Sequence, residues 1–307
     1  MGQLGASNTN TNTNTNTNTN TAVSSPQAGV ANGIRYNSQE FPKLLQPGKF
    51  PAELPPGAQK PKEYEDTEKE VYKLQFRKYW DAENRASIYV NEFVQKNPAW
   101  LDQVGNVIKE KHDLLTLQKA EQLRAVIGMS DEREPRFVEI IDQHDGEGAI
   151  KYWLGMLMID PSNAPAAWAL IRIGRKLGEH VVMCLKNKFR EPRPSQVCPA
   201  IVPMVDPPIT PSFPAGHALQ SHLISRLILA AGRPLVQPDM VYALARRVAD
   251  NRIIAGLHYP LDNEAGVIAA EMVFNMLMTD DADRRCTQFR ALVDDAKAES
   301  LREQERE

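Results

Sequence analysis

The sequence predicts an all-α protein, a single helical-bundle domain behind an N-terminal arm. From about residue 64 almost to the end of the 307-residue chain, apolar residues recur at three- and four-residue spacing, which is the periodicity of amphipathic helices. No segment shows the sustained alternation of apolar and polar residues that a half-buried strand requires. Prolines and polar clusters divide the pattern into pieces of ordinary helix length.

Residues 1–62 have the composition of a disordered arm. Residues 8–21 are seven Asn-Thr repeats, whose short polar side chains bury little apolar surface. Six prolines follow between Pro42 and Pro61, which favours an extended strap or linker. We therefore expect the folded domain to begin at residue 63.

The helical domain is predicted to span residues 63–280, and residues 281–307 are predicted to form a charged, solvated helix or tail. The clearest helix has Asn163 as its expected cap and Pro165 in its first turn. Its apolar stripe consists of Leu170, Ile173, Leu177, Val181 and Cys184. The other expected helices cover residues 72–93, 101–111, 114–127, 132–144, 150–159, 215–231, 238–251 and 262–278.

Composition narrows the functional classes. The formal net charge of -3 gives no indication of a nucleic-acid partner. The three cysteines, Cys184, Cys198 and Cys286, form neither a disulfide framework nor a CxxC pair for zinc. Because the sequence shows neither a secretory signal nor 18 consecutive apolar residues, we expect no membrane span and a soluble protein, cytoplasmic by default.

Three short segments beside expected helix ends concentrate groups that bind and transfer phosphate. They are Lys186 to Arg193-Pro194, then Pro214-Ala215-Gly216-His217, and then Asn251-Arg252 with His258 and Asp262. A phosphoryl group in its transition state spreads negative charge over three equatorial oxygens. Arginine recognises such oxygens through two parallel hydrogen bonds, and lysine acts as a point charge. The segments therefore predict an anion site at helix edges.

In order, spacing and residue type, the segments resemble the three-part signature KxxxxxxRP, PSGH and SRxxxxxHxxxD of the type-2 phosphatidic acid phosphatase and vanadium haloperoxidase superfamily. The resemblance covers about residues 160–280. It implies that His258 is the nucleophile, that His217 is the general acid, and that Asp262 holds the second ring nitrogen of His258. It also implies phosphate contacts from the remaining motif residues, Lys186, Arg193, Gly216 and Arg252. Asp262 is in addition a good helix cap, and both roles are compatible.

Two positions depart from the signature. Ala215 replaces its serine, which removes a hydroxyl donor worth at most about 1.5–3 kcal/mol to a charged oxygen. Asn251 replaces the second serine and keeps hydrogen-bonding capacity. The other histidines, His112, His144, His180 and His222, are assigned to the core or the surface.

The resemblance leaves three functions open. The leading one is a metal-free, cofactor-free, acid-phosphatase-like hydrolase of phosphoric monoesters, or of a pyrophosphate, acting on a phosphorylated small molecule or lipid head group. The second is a vanadium-dependent haloperoxidase that holds vanadate through His258, although the span from His217 to Arg252 is short for such enzymes. The third is a phosphate-binding scaffold that has lost turnover through Ala215. Homo-oligomerisation stays open.

Overall fold

The structure is a computed structural model that describes residues 82–144, 146–232 and 237–304. The predicted arm of residues 1–62 and residues 72–81 of the first expected helix lie outside these ranges. Within them the chain forms only helices, turns and loops, so the all-α prediction is confirmed. The helices are α1 (Ala82–Lys96), α2 (Trp100–Leu117), α3 (Lys119–Gly128), α4 (Phe137–Asp142), α5 (Gly146–Met156), α6 (Pro165–Phe189), α7 (Pro194–Val197), α8 (Gly216–Ala230), α9 (Pro238–Ile254), α10 (Pro260–Leu277) and α11 (Thr287–Gln304), with a 3₁₀ turn at Ser130–Glu132.

Helix α8 lies at the centre and packs against α6, α9 and α10. Its closest neighbour is α10, because Gly266 there lets the two backbones approach. A Cβ atom at Gly266 would lie 2.8 Å from the carbonyl oxygen of Ala215 and 3.1 Å from the amide nitrogen of Leu219. Since two of the three motifs begin or end on these helices, this tight crossing fixes their separation.

Helix α6 buries most of the apolar stripe that the sequence predicts: Leu170, Ile173, Leu177 and Val181 are buried, and Cys184 is partly buried. Its predicted cap is wrong. The side-chain nitrogen of Asn163 instead donates to the carbonyl of Met158, and its side-chain oxygen accepts the amide of Asp160. The carboxylate of Glu299 accepts the amides of Ala166 and Ala167 at 2.9–3.1 Å. A distant carboxylate thus provides the negative charge that a helix N-terminus favours.

The C-terminal segment is less solvated than the sequence predicts. Helix α11 lies against α6 and buries Phe289, Leu292, Val293 and Ala296. Its first amides, those of Gln288 and Phe289, donate to the carboxylate of Glu92 on α1 at 2.7 and 3.0 Å. The charged residues that dominate this stretch obscure the narrow apolar face that holds the helix down.

The expected helix over residues 132–144 is also shorter than predicted. The chain makes turns at residues 133–136 before α4 begins at Phe137. Pro135 interrupts any longer helix because it lacks an amide hydrogen. Short α4 and the turn after it lie over the ends of α8 and α9, where their carbonyls contact two predicted site residues.

In the described part of the chain, we find no helix with both the length and the apolar character needed to span a bilayer.

Candidate active site

Lys186 lies in the last turn of α6, and its side chain is almost completely buried. Its ammonium group donates to the carbonyl oxygens of Pro211 and Ser212, the latter at 2.8 Å. The helix ends at Arg190, which adopts a left-handed conformation and redirects the chain toward Arg193. The cation therefore binds the loop that leads into the second motif.

Arg193 binds the same loop from its other side. Its Nε atom donates to the carbonyls of Pro208 and Thr210 at 3.1 and 2.9 Å. Its Nη1 atom donates to the carbonyl of Leu257 at 2.9 Å and lies 3.5 Å from Nε2 of His258. The first motif is thereby linked to the third.

The spacing between Arg252 and His258 follows from how α9 ends. Gly256 has a φ of +79°, and the amide of Leu257 donates to the carbonyl of Arg252 at 3.0 Å. With the bond from the Gly256 amide to the Ile253 carbonyl at 2.8 Å, this is a Schellman motif. The chain reverses there, which brings His258 back toward the arginine six residues earlier.

Arg252 is fully buried, and only part of its guanidinium is bonded. Its Nη2 atom donates to the carbonyl of Ile140 at 2.7 Å. Its Nε and Nη1 atoms meet no hydrogen-bond partner within residues 82–144, 146–232 and 237–304. Buried N–H groups of a cation favour a negatively charged partner strongly.

His258 and Asp262 form a hydrogen-bonded pair at the start of α10. The Nδ1 atom of His258 lies 3.0 Å from Oδ2 of Asp262. The same oxygen accepts the amide of Tyr259 at 3.0 Å and the hydroxyl of Ser212. Asp262 therefore caps the helix and orients the imidazole of His258. In this orientation Nε2 of His258 faces Arg193.

Gly216 and His217 open α8, the central helix. The Nε2 atom of His217 lies 2.9 Å from the carbonyl oxygen of Gln143, and donation to that carbonyl places a proton on Nε2. The side chain of Gln143 in turn accepts the amide of Asn251 at 2.8 Å. The turn that follows α4 thus contacts both the second and the third motif.

Burial and mutual repulsion set the protonation of these groups. Burial and the nearby Arg193 lower the pKa of Lys186 to about 7. Burial, Lys186 and Arg193 hold the pKa of His258 well below its usual value, so its imidazole is neutral near pH 7. Burial and Arg252 lower the pKa of His217 to about 3. A bound anion offsets these positive charges and raises each pKa.

All seven predicted residues thus lie where the ends of α6 and α9 meet the starts of α8 and α10. Lys186, Arg193, His258 and Asp262 are linked by hydrogen bonds to one another or to the loop at residues 208–212. Arg252 lowers the pKa of both His217 and His258, and Gly216 adjoins His217 at the start of α8. Comparison with known protein families matches residues 169–286, the segment that contains all seven, to the PAP2 superfamily.

This segment belongs to the PAP2 superfamily. The family resemblance predicted from the three motifs is confirmed. Members of the PAP2 superfamily are typically phosphatases or haloperoxidases. A search of curated proteins found none that matches the chain.

Sequence reasoning missed two residues of this PAP2 site. Ser212 is fully buried, and its hydroxyl donates to Asp262 and lies 3.3 Å from Nδ1 of His258. Gln143 contacts His217 through its carbonyl. Ser212 lies three residues before Ala215, so a signal was present: a hydroxyl residue close to the missing one. Gln143 gave none, because it belongs to a turn more than 70 residues before His217.

Proposed function

We propose that this PAP2 protein hydrolyses phosphoric monoesters through a phosphohistidine on His258. The observation that carries the proposal is the pairing of His258 with Asp262. With Nδ1–H bonded to the carboxylate, the lone pair of the neutral imidazole lies on Nε2, beside a cation. That is the arrangement a nitrogen nucleophile needs for attack on a phosphate.

Phosphate binding follows from the charges around that nitrogen. Lys186, Arg193 and Arg252 bring cationic groups into one buried place, and they depress the pKa of His258. Two such charges about 6 Å apart repel by roughly 3 kcal/mol at an effective dielectric near 20. A phosphate dianion removes that repulsion, and Arg252 offers it two N–H groups that lack a partner in the described ranges.

In the first step, Nε2 of His258 bonds to phosphorus while the bond from phosphorus to the ester oxygen breaks. His217 gives a proton to the departing oxygen. The Nε2–H of His217 donates to the carbonyl of Gln143. Nδ1 of His217 is therefore the nitrogen that gains and loses a proton. Asp262 stabilises the positive charge that develops on the His258 ring.

In the second step, a water oxygen bonds to phosphorus and the nitrogen–phosphorus bond breaks. His217 accepts the proton of that water, and phosphate leaves. Because His217 must be protonated in the first step and its pKa in the free protein is about 3, we expect faster turnover at acidic pH. The proposed enzyme is therefore an acid-phosphatase-like monoesterase that requires neither a metal nor a cofactor, and its substrate is a phosphorylated small molecule or lipid head group.

A haloperoxidase is the second candidate, and one observation favours it: Nε2 of buried His258 lies beside a cation in a site suited to any tetrahedral oxyanion. His258 would ligate vanadate, and Lys186, Arg193 and Arg252 would surround its oxygens. The bound vanadate would supply peroxide activation for halide oxidation. A phosphate-binding scaffold without turnover is the third candidate.

The test compares purified wild type with His258→Ala and with a matched control, His180→Ala. His180 is a half-buried histidine on α6 whose ring lies 6.1 Å from that of Trp100. One assay follows phosphate release from an aryl phosphate, and the other follows bromide oxidation by peroxide after loading with orthovanadate. We expect phosphate release that His258→Ala abolishes, His180→Ala retains and orthovanadate blocks. Bromide oxidation with negligible hydrolysis would instead establish the haloperoxidase, and phosphate binding without either reaction would favour the scaffold.

A further inference from the structure

A second cleft lies on the other side of the third motif. It lies between α9 and α10, with His222 of α8 in its lining, and has a volume of about 270 Å³. Its lining comprises His222, Arg246, Ala249, Asp250, Ile253, Pro260, Asn263, Glu264 and Val267. None of these residues belongs to the proposed catalytic site. Its volume lies just below the roughly 300–1,000 Å³ of pockets for drug-sized ligands, which indicates a smaller molecule.

Two side chains in this cleft are more than nine-tenths buried, and each has a polar atom without a hydrogen-bond partner. His222 and Asn263 are 6% and 7% exposed. Across the described residues, neither Nε2 of His222 nor the amide oxygen of Asn263 has a hydrogen-bonding partner, whereas the amide nitrogen of Asn263 interacts with the carboxylate of Asp250. Buried polar groups in native proteins are nearly always bonded to protein, water or a ligand. These two atoms therefore indicate a bound partner in the cleft.

The charges of the cleft are already balanced. Glu264 pairs with Lys111 at 2.6 Å. Burial raises the pKa of Asp250 above its usual value, and the cations Arg136 and Arg246 and a hydrogen bond from the amide of Asn263 offset part of that rise. With both carboxylates beside cations, the cleft offers little net attraction for a charged ligand.

The unbonded groups are themselves neutral. Burial, Arg226 and Arg246 lower the pKa of His222 to about 4, so its imidazole is uncharged near pH 7. The amide of Asn263 presents an acceptor and two donors side by side, and a hydroxyl group both donates and accepts. Ala249, Ile253 and Val267 add an apolar wall suited to the C–H face of a ring.

We propose that this cleft binds a small uncharged polyhydroxyl compound, such as a monosaccharide or a cyclic polyol, whose hydroxyls bond Asn263 and His222. The apolar residues of α9 and α10 contact its C–H groups. The site is separate from phosphate chemistry: Asp262 points toward His258, whereas the next residue, Asn263, lines the cleft. Its test needs no turnover, so it stands or fails independently of the proposed phosphatase.

The experiment titrates the full chain with D-glucose and with myo-inositol. Binding is measured by calorimetry and by the side-chain amide signals of Asn263 in the nitrogen–proton NMR spectrum. We expect those signals to move, and Asn263→Leu and His222→Leu each to weaken binding by about tenfold. Asn91→Leu is the matched control, because Asn91 is an exposed asparagine on α1, and it should bind as wild type does.

The wild-type NMR signals keep the test decisive even if a variant fails to fold. The proposal is overturned if neither polyol moves the Asn263 signals at concentrations up to its solubility, which would assign only water to the cleft. It is equally overturned if sodium sulfate or acetamide moves them and the polyols do not, or if both folded variants bind a polyol as tightly as wild type.

Discussion

The cations of the PAP2 site fall into two groups that differ in what they bind. Lys186 and Arg193, the loop cations, donate to backbone carbonyls of the loop at residues 208–212. Arg252, on α9, donates to one carbonyl and keeps Nε and Nη1 without partners in the part of the chain that the structure describes. The loop cations thus hold the fold and would also bind the proposed phosphate, whereas Arg252 has N–H groups left mainly for that proposed phosphate.

Replacing a loop cation should have the largest combined effect. We expect Arg193→Met to lower kcat/KM by about 10²–10³-fold, because a charged donor to the transition state is lost. It should also lower the free energy of unfolding by about 2 kcal/mol, since the part-buried carbonyl of Thr210 and the buried carbonyl of Leu257 lose their donor. Urea unfolding and aryl phosphate kinetics measure the two effects. An inactive variant of wild-type stability would show that the loop needs no cation.

Replacing Arg252 should separate the two effects. We expect Arg252→Met to lose about 10²–10³-fold in kcat/KM, as Arg193→Met does. Its free energy of unfolding should equal or exceed that of wild type, because an incompletely bonded buried charge is replaced by an apolar side chain of similar length. The same two assays apply, with Arg193→Met as the matched comparison. A large loss of stability would mean that Arg252 is as structural as the loop cations.

Ser212 joins the loop to the nucleophile. Its carbonyl accepts a hydrogen bond from the ammonium of Lys186, and its hydroxyl donates to the carboxylate of Asp262. We expect Ser212→Ala to lower kcat by about 10- to 100-fold, the value of a hydrogen bond to a charged group. Because Ser212 positions Asp262, the pH profile should shift together with kcat, and Ser212→Thr should recover part of both. A change in KM alone would assign the hydroxyl to substrate binding instead.

The loop lysine should make anion binding depend on pH. Because the pKa of Lys186 is about 7, its ammonium is charged below that pH and loses its proton above it. We therefore expect the inhibition constant of sulfate, whose own charge is fixed in this range, to weaken by up to about tenfold per pH unit above pH 7. Lys186→Arg, which stays charged, should remove that dependence. An equal slope in both proteins would assign it to another group.

The groups that the sequence predicts for the site lie on local signals, which is why the motifs could be found from the sequence. Lys186 and Arg193 flank a helix end, and the Arg252–His258 spacing reflects a Schellman turn at Gly256. Short motifs of this kind need only a few residues of context, and the helical pattern between them fixes how far apart they lie.

What the sequence did not predict depends on partners far along the chain. The cap of α6 is Glu299, more than 130 residues away, rather than neighbouring Asn163. The partner of His217 is the carbonyl of Gln143, which carries no sequence information because every residue has one. The cleft around Asn263 likewise depends on how α8, α9 and α10 pack, which periodicity alone does not determine.

The smallest effect is expected at the position that departs from the motif. Ala215 is fully buried between Ala218 and Ala249, and its amide donates to the carbonyl of Asp262 at 3.0 Å. Ser212 already bonds that aspartate from the loop. We therefore expect Ala215→Ser to change kcat by less than about tenfold, because the hydroxyl of Ser212 already lies in the site and a second hydroxyl adds less than the full value of a hydrogen bond to a charged group. Kinetics beside wild type and Ala218→Ser, a serine introduced at a neighbouring buried alanine, measure this. If Ala215→Ser alone raises turnover from near zero to an ordinary enzymatic rate, the natural chain is a phosphate-binding scaffold, because the missing hydroxyl would then be what separates binding from catalysis.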